Sequence, residues 1–161
     1  MGSSTVCVDA SFIVRLFLGP DEAAYWELLE GWNAERTSIC APGLVLYEVC
    51  NAFYRLQRAG YLSQASTELV VDAALSLPIR LESDAALLRA ALRIAASAGS
   101  PAAYDAQYLA LAERLGAELF TADARLARQP CDGHPTVRLV GATASPQPPS
   151  EPAAVQPPIS A

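Results

Sequence analysis

A chain of 161 residues carrying a net charge of −6 is long enough for one hydrophobic core, and too acidic to coat nucleic acid by neutralising phosphates. A hydrophobic fraction of 52% against 17% charged residues excludes a disordered chain. Arg15 breaks the longest N-terminal apolar stretch well short of the ~18 residues of a membrane span, and Met1-Gly2-Ser3-Ser4 lacks the basic start of a secretory signal, so a cytoplasmic protein is expected.

Residues 6–8, Val-Cys-Val, read as a buried strand closed by Asp9, and Phe12, Ile13, Leu16 and Phe17 mark the helix that follows. Gly19-Pro20 ends that helix, and Asp21-Glu22 open a second one carrying Tyr25, Trp26, Leu28, Leu29 and Trp32. Residues 37–41 form a short strand or an extended connector, after which Pro42-Gly43 lead into a helix over 44–58 that Gly60 stops. Ser63 or Ser66 caps a further helix reaching Leu75. Pro78 introduces a short strand at 79–81, and Asp84 starts an Ala- and Leu-rich helix running to about residue 98. Ser100-Pro101 reads as a cap with proline at the first helical position, beginning the helix that contains Asp105 and ends at Gly116. A strand at 118–121, a short helix at 124–127 and a strand at 137–140 follow. Strands alternating with helices predict an α/β fold with a mainly parallel sheet covered on both faces. The folded domain is assigned to residues 1–141, and 142–161, with half of the chain's twelve prolines and no apolar period, to a disordered tail.

The cysteines Cys7, Cys40, Cys50 and Cys131 are widely spaced without a Cys-x-x-Cys pair, and the single histidine, His134, falls in a polar loop. Zinc or iron–sulfur binding is therefore not expected, and the thiols read as small core hydrophobes.

Four carboxylates stand out because each is embedded in, or ends, an apolar segment: Asp9, Glu48, Asp105 and Asp123. An unpaired buried carboxylate costs several kcal/mol, so four of them point to a shared positive partner, of which a divalent metal ion is the simplest. In a parallel sheet, ligands bind beyond the carboxyl ends of the strands near the switch in strand order, and Asp9 and Asp123 each directly follow a strand. Ser11 lies two residues after Asp9 and Thr121 two before Asp123, hydroxyls of the kind that orient metal-binding carboxylates. Asn51 and Arg55 share a helix face with Glu48. Each acid also has an ordinary explanation taken singly. Asp9 and Asp123 fit as helix N-caps, Glu48 as a partner of Arg55, and Asp105 as an acid in an early helical turn.

Val8-Asp9-Ala10-Ser11, Glu48-Val49-Cys50-Asn51, the run from Tyr104-Asp105-Ala106 to Ala112, and Phe120-Thr121-Ala122-Asp123-Ala124-Arg125-Leu126 resemble, in order and spacing, the four signature segments of PIN-domain ribonucleases. Within that family the chain looks most like the toxins of VapBC toxin–antitoxin pairs, over roughly residues 5–140. The resemblance implies a three-layer α/β/α fold and an endoribonuclease that uses Mg²⁺ or Mn²⁺. It places Asp9, Glu48, Asp105 and Asp123 in the catalytic metal-binding cluster, with Ser11, Asn51 and Thr121 as polar support. It further implies an RNA substrate, a cognate antitoxin that covers the acidic groove with a basic segment, and a homodimer. Tyr25, Trp26 and Trp32 are candidates for self-association, although core packing explains them equally well. Ala10 and Gln107 depart from the family's usual residues without removing an acid.

The reaction implied is metal-assisted hydrolysis of phosphodiester bonds, with Arg15 or Arg55 available for flanking phosphates or for ordinary surface pairing. Haloacid-dehalogenase phosphatases and response-regulator receivers also set aspartates at strand ends, but both use a lysine, and all eleven basic residues here are arginine. A PIN-like module that binds protein or RNA without cleaving is the alternative of another class, and the intact set of four acids speaks against it.

Overall fold

The computed structural model describes residues 4–128 and 135–141; the proline-rich stretch 142–161, Cys131 and His134 lie outside them. Strand β1 (Thr5–Val8) passes through Asp9 into helix α1 (Ala10–Phe17), followed by α2 (Glu22–Ala34) and β2 (Ser38–Pro42). Helices α3 (Leu44–Arg58) and α4 (Gln64–Leu75) lead to β3 (Ile79–Glu82), and α5 (Ala85–Ser97) and α6 (Tyr104–Leu115) to β4 (Glu118–Thr121). The short α7 (Ala124–Ala127) and β5 (Val137–Leu139) complete the order.

The five strands are all parallel, in the order β3-β2-β1-β4-β5. The chain builds outward from β1 to β3, then crosses back to lay β4 against the free side of β1, so strand order reverses between β1 and β4. Right-handed crossovers put α1 to α4 on one face of the sheet and the β3-to-β4 connection, α5 and α6, on the other. Helix α6 packs across β1, β2 and β4 and carries α5 on its outer side. This is the three-layer α/β/α arrangement expected from the sequence. Strand β1 is buried along nearly its whole length, as a central strand covered on both faces must be.

Local chemistry explains most boundaries. Ser63 accepts the Ser66 N–H at 3.0 Å to cap α4, and Asp84 accepts the Leu87 N–H at 2.8 Å to cap α5. Gly116 takes the left-handed conformation, φ 59°, that ends α6 and turns the chain into β4.

Three expectations change. Helix α6 begins at Tyr104 and not at Pro101, because the Ser100 hydroxyl donates to the Ala102 carbonyl and holds residues 100–103 outside the helix. Cys50 lies on the exposed face of α3, whereas Cys7 and Cys40 are fully buried neighbours on β1 and β2. Burial pushes the Cys7 thiol up to about 12, leaving it inert at neutral pH. Tyr25 and Trp32 belong to the interior, where Phe12 packs edge-on to Tyr25 and stacks on Trp32, and Trp26 meets Phe17 edge-on. Core packing accounts for Tyr25 and Trp32, while Trp26 is only partly buried.

Candidate active site

All four acids sit at the carboxyl edge of the sheet. Helices α1, α3 and α7 start directly after β1, β2 and β4, while α6 runs back towards β4 and so begins at the same edge. Asp9 is the N-cap of α1 and Asp123 that of α7; Asp105 lies in the first turn of α6 and Glu48 in the second turn of α3. Asp9, Asp105 and Asp123 therefore stand at or within the first turn of a helix, and Glu48 one turn further in.

Asp9 is the innermost of the set. Register pairs Val8 with Phe120, so Asp9 and Thr121 come next, side by side at the point where strand order reverses. Asp9 Oδ1 accepts the Phe12 N–H at 2.9 Å, and Ser11 Oγ donates to its two oxygens at 2.7 and 2.9 Å. Thr121 Oγ1 donates to Asp9 Oδ2 at 2.6 Å and accepts the Asp123 N–H at 2.9 Å. Ser11 Oγ also accepts the Ala122 N–H at 2.9 Å. The two hydroxyls thus lock the end of β1 to the end of β4. Even with these donors, burial pushes the Asp9 carboxyl up to about 6, with the Asp123 charge adding to the effect.

Asp105 and Asp123 are joined by a residue to which the sequence reading gave no role. Arg125 Nη2 lies 2.8 Å from Asp105 Oδ2 and 3.1 Å from Asp123 Oδ2. Asp123 Oδ1 meanwhile accepts the Arg125 backbone N–H at 2.7 Å, the capping bond of α7. Asp105, first, and then Asp123 hold the guanidinium charge above its ordinary pKa.

Glu48 is half-buried, and its partner is the Tyr108 hydroxyl, which donates to Oε2, in place of the Arg55 pairing that sequence left open. Burial pushes the Glu48 carboxyl up, the Tyr108 hydrogen bond opposes that shift, and the nearby Asp105 charge reinforces it. Tyr108 is itself buried on α6, and burial followed by the Glu48 contact raises its phenol above the ordinary value. Replacing Tyr108 with phenylalanine is expected to lower stability by about 1.5–3 kcal/mol, the range for a hydrogen bond to a charged group, and urea unfolding of the two proteins measures it. Asn51 is exposed and shares no hydrogen bond with the acids.

Both overlooked residues carried a signal. Tyr108 puts a hydroxyl into a helix otherwise faced with Ala and Leu, and a buried phenol needs a partner. Arg125 stands two residues after Asp123, within reach of the acid that caps α7.

The contacts form one continuous chain: Ser11, Asp9, Thr121, Asp123, Arg125 and Asp105, with Asp105 near enough to Glu48 to influence its charge. Among the described residues, no three His, Cys, Asp or Glu side chains are drawn close enough together to hold a metal ion. The donors nonetheless suit a hard divalent cation. Carboxylate oxygens are its preferred ligands, and Asp105 and Asp123 already converge on one cationic nitrogen.

Comparison with known proteins agrees with this architecture. The sequence model of the family described as PIN domain matches residues 6–130. A relative from Pyrobaculum aerophilum named Ribonuclease VapC3 is 31% identical over 124 residues, which is 76% of this chain and 92% of the relative. The crystal structure of PAE2754 from Pyrobaculum aerophilum superposes with a TM-score of 0.59 at 27% identity, covering 79% of each chain. Two structures alike in fold alone are VapBC2 from Rickettsia felis bound to promoter DNA (TM-score 0.61, 15% identity, 84% of this chain and 98% of that one) and VapC20 from Mycobacterium tuberculosis, a toxin that cleaves the sarcin–ricin loop (TM-score 0.56, 18% identity, 75% and 92%). Among the described residues no helix is long and apolar enough to cross a membrane.

Proposed function

This chain belongs to the PIN domain family, and from that membership we propose that it is an endoribonuclease dependent on a divalent metal ion and the toxin of a type II toxin–antitoxin pair. The observation that supports the reading is the placement of four acids at the carboxyl edge of the sheet, where strand order reverses, with Asp105 and Asp123 converging on one arginine nitrogen. The name of the 31%-identical relative, a ribonuclease, supports RNA as the substrate class.

Asp9, Glu48, Asp105 and Asp123 would hold Mg²⁺ or Mn²⁺. Such an ion, when bound, supplies Lewis-acid chemistry, acidifying water and neutralising charge on the phosphate. The chain's own residues do the rest. Thr121 and Ser11 fix the direction of the Asp9 oxygens by donating their hydroxyls to them. Tyr108 holds Glu48 on the same edge. The net negative charge of this edge suits a basic segment of a small antitoxin as a cover, and a homodimer belongs to the same reading.

Purified protein incubated with total RNA should cleave it in the presence of Mg²⁺ or Mn²⁺ and stop when EDTA is added, with the cut ends mapped by sequencing. Cleavage that continues unchanged in EDTA, or RNA left intact with either ion, would refute the proposal.

A further inference from the structure

Arg125 connects to the acids in an unusual way. Both of its ion pairs fall on one nitrogen, Nη2, so the guanidinium fork is bidentate to neither carboxylate and serves as a point charge between them. Its side chain is 65% exposed, against 26% for Asp105 and 34% for Asp123, so no packing fixes it in place. The backbone is anchored at the same spot, since its N–H is the one that caps α7 on Asp123. A firmly held main chain thus carries a long, free side chain whose tip lies between two acids.

We propose that Arg125 is a displaceable internal counter-ion, which occupies the cation position between Asp105 and Asp123 until a divalent ion takes it and thereafter holds a phosphate of the RNA. The proposal rests on the metal-dependent ribonuclease reading and assigns this side chain a role within it. Two exposed ion pairs to one nitrogen are weak enough to be exchanged for a doubly charged ion. The displaced guanidinium stays tethered two residues from Asp123, beside the edge where the phosphodiester must lie, and suits a phosphate better than an ammonium would. Loading of the metal and binding of RNA are then linked through one side chain: the cation frees the group that grips the substrate.

The test is calorimetric titration of Mn²⁺ into the full chain without RNA, comparing the wild type with Arg125→Gln and Arg125→Lys. Gln keeps the backbone N–H that caps α7, and circular dichroism checks that each variant is folded. Arg125→Gln is expected to bind Mn²⁺ about tenfold more tightly, since two exposed ion pairs no longer have to be broken, with Arg125→Lys in between. At saturating Mn²⁺ the same Gln variant should show a KM for RNA raised about tenfold, the opposite direction, which loss of a purely structural contact does not produce. Wild type that binds Mn²⁺ together with a Gln variant that binds no tighter would overturn the counter-ion role alone. Tighter Mn²⁺ binding with an unchanged KM would overturn the phosphate role, and absence of Mn²⁺ binding in every protein would overturn this inference along with the metal-dependent reading.

Discussion

Asp9→Asn is expected to abolish RNA cleavage and, in the same protein, to raise stability at neutral pH. The loss of activity should exceed ~100-fold, a size already reached when a residue one step removed from a metal is changed. The gain in stability follows from burial. In the folded chain the Asp9 carboxyl is pushed from 3.8 up to about 6, so ionising it at neutral pH costs roughly 3 kcal/mol. Asparagine removes that cost and still caps α1 by accepting the Phe12 N–H through Oδ1. Its amide cannot accept the Thr121 hydroxyl as the carboxylate does, which reduces the net gain to about 1–2 kcal/mol, a few degrees in Tm.

The sign against pH is fixed by linkage. Because the folded pKa lies above the unfolded value, the native state binds the Asp9 proton more readily than the unfolded chain does. The stability contributed by this group is therefore present below 3.8 and is lost as pH rises through about 6. Wild type and Asp9→Asn should differ little in acid, diverge across that window, and keep a constant gap above it. Thermal unfolding of both proteins at a series of pH values measures the effect. An asparagine variant less stable than wild type at neutral pH would mean that the Ser11 and Thr121 bonds outweigh the burial of charge.

Thr121→Val is expected to be among the more damaging conservative changes in the chain. Thr121 is fully buried, and its single hydroxyl serves two groups, donating to Asp9 Oδ2 and accepting the Asp123 N–H. Valine matches its shape but leaves Ser11 as the remaining side-chain donor to Asp9 Oδ2 and takes the acceptor from the Asp123 amide, a loss of about 1–3 kcal/mol. Thr121→Ser keeps the hydroxyl and should stay within about 1 kcal/mol of wild type. The variants also differ in chemistry. The Thr121 bond holds the Asp9 pKa down, so its removal should raise that pKa further and move the acid limb of the cleavage profile to higher pH. Urea unfolding and a pH–rate profile provide the two readouts, and a valine variant as stable as the serine one would show that the hydroxyl is dispensable.

Most of the fold was readable in the sequence because local signals agree with the global arrangement. Gly60, Ser63, Asp84 and Gly116 stand at the ends where they were expected, and the strand–helix alternation implied the parallel sheet. The start of α6 was misplaced because Ser100-Pro101 matches a helix opening in composition, whereas the Ser100 side chain spends its hydrogen bond on a turn. The positions of Asp9, Ser11, Thr121 and Asp123 followed from a simple rule, that residues just after parallel strands meet at one edge. Tyr108 and Arg125 did not follow from it. Their roles depend on which distant acid each side chain reaches, and a helical period names the face of a residue without naming what stands opposite. Asn51 shows the converse: three residues from Glu48 on α3, it nevertheless points to solvent.

The neighbour relation of β1 and β4 has a consequence for synthesis. Asp9 and Thr121 are 112 residues apart in the chain, although their side chains touch. A ribosome making this protein therefore exposes the first acid long before the strand that completes its surroundings. Products of interrupted translation that end before β4 lack Thr121 and Asp123 and cannot assemble the acidic edge.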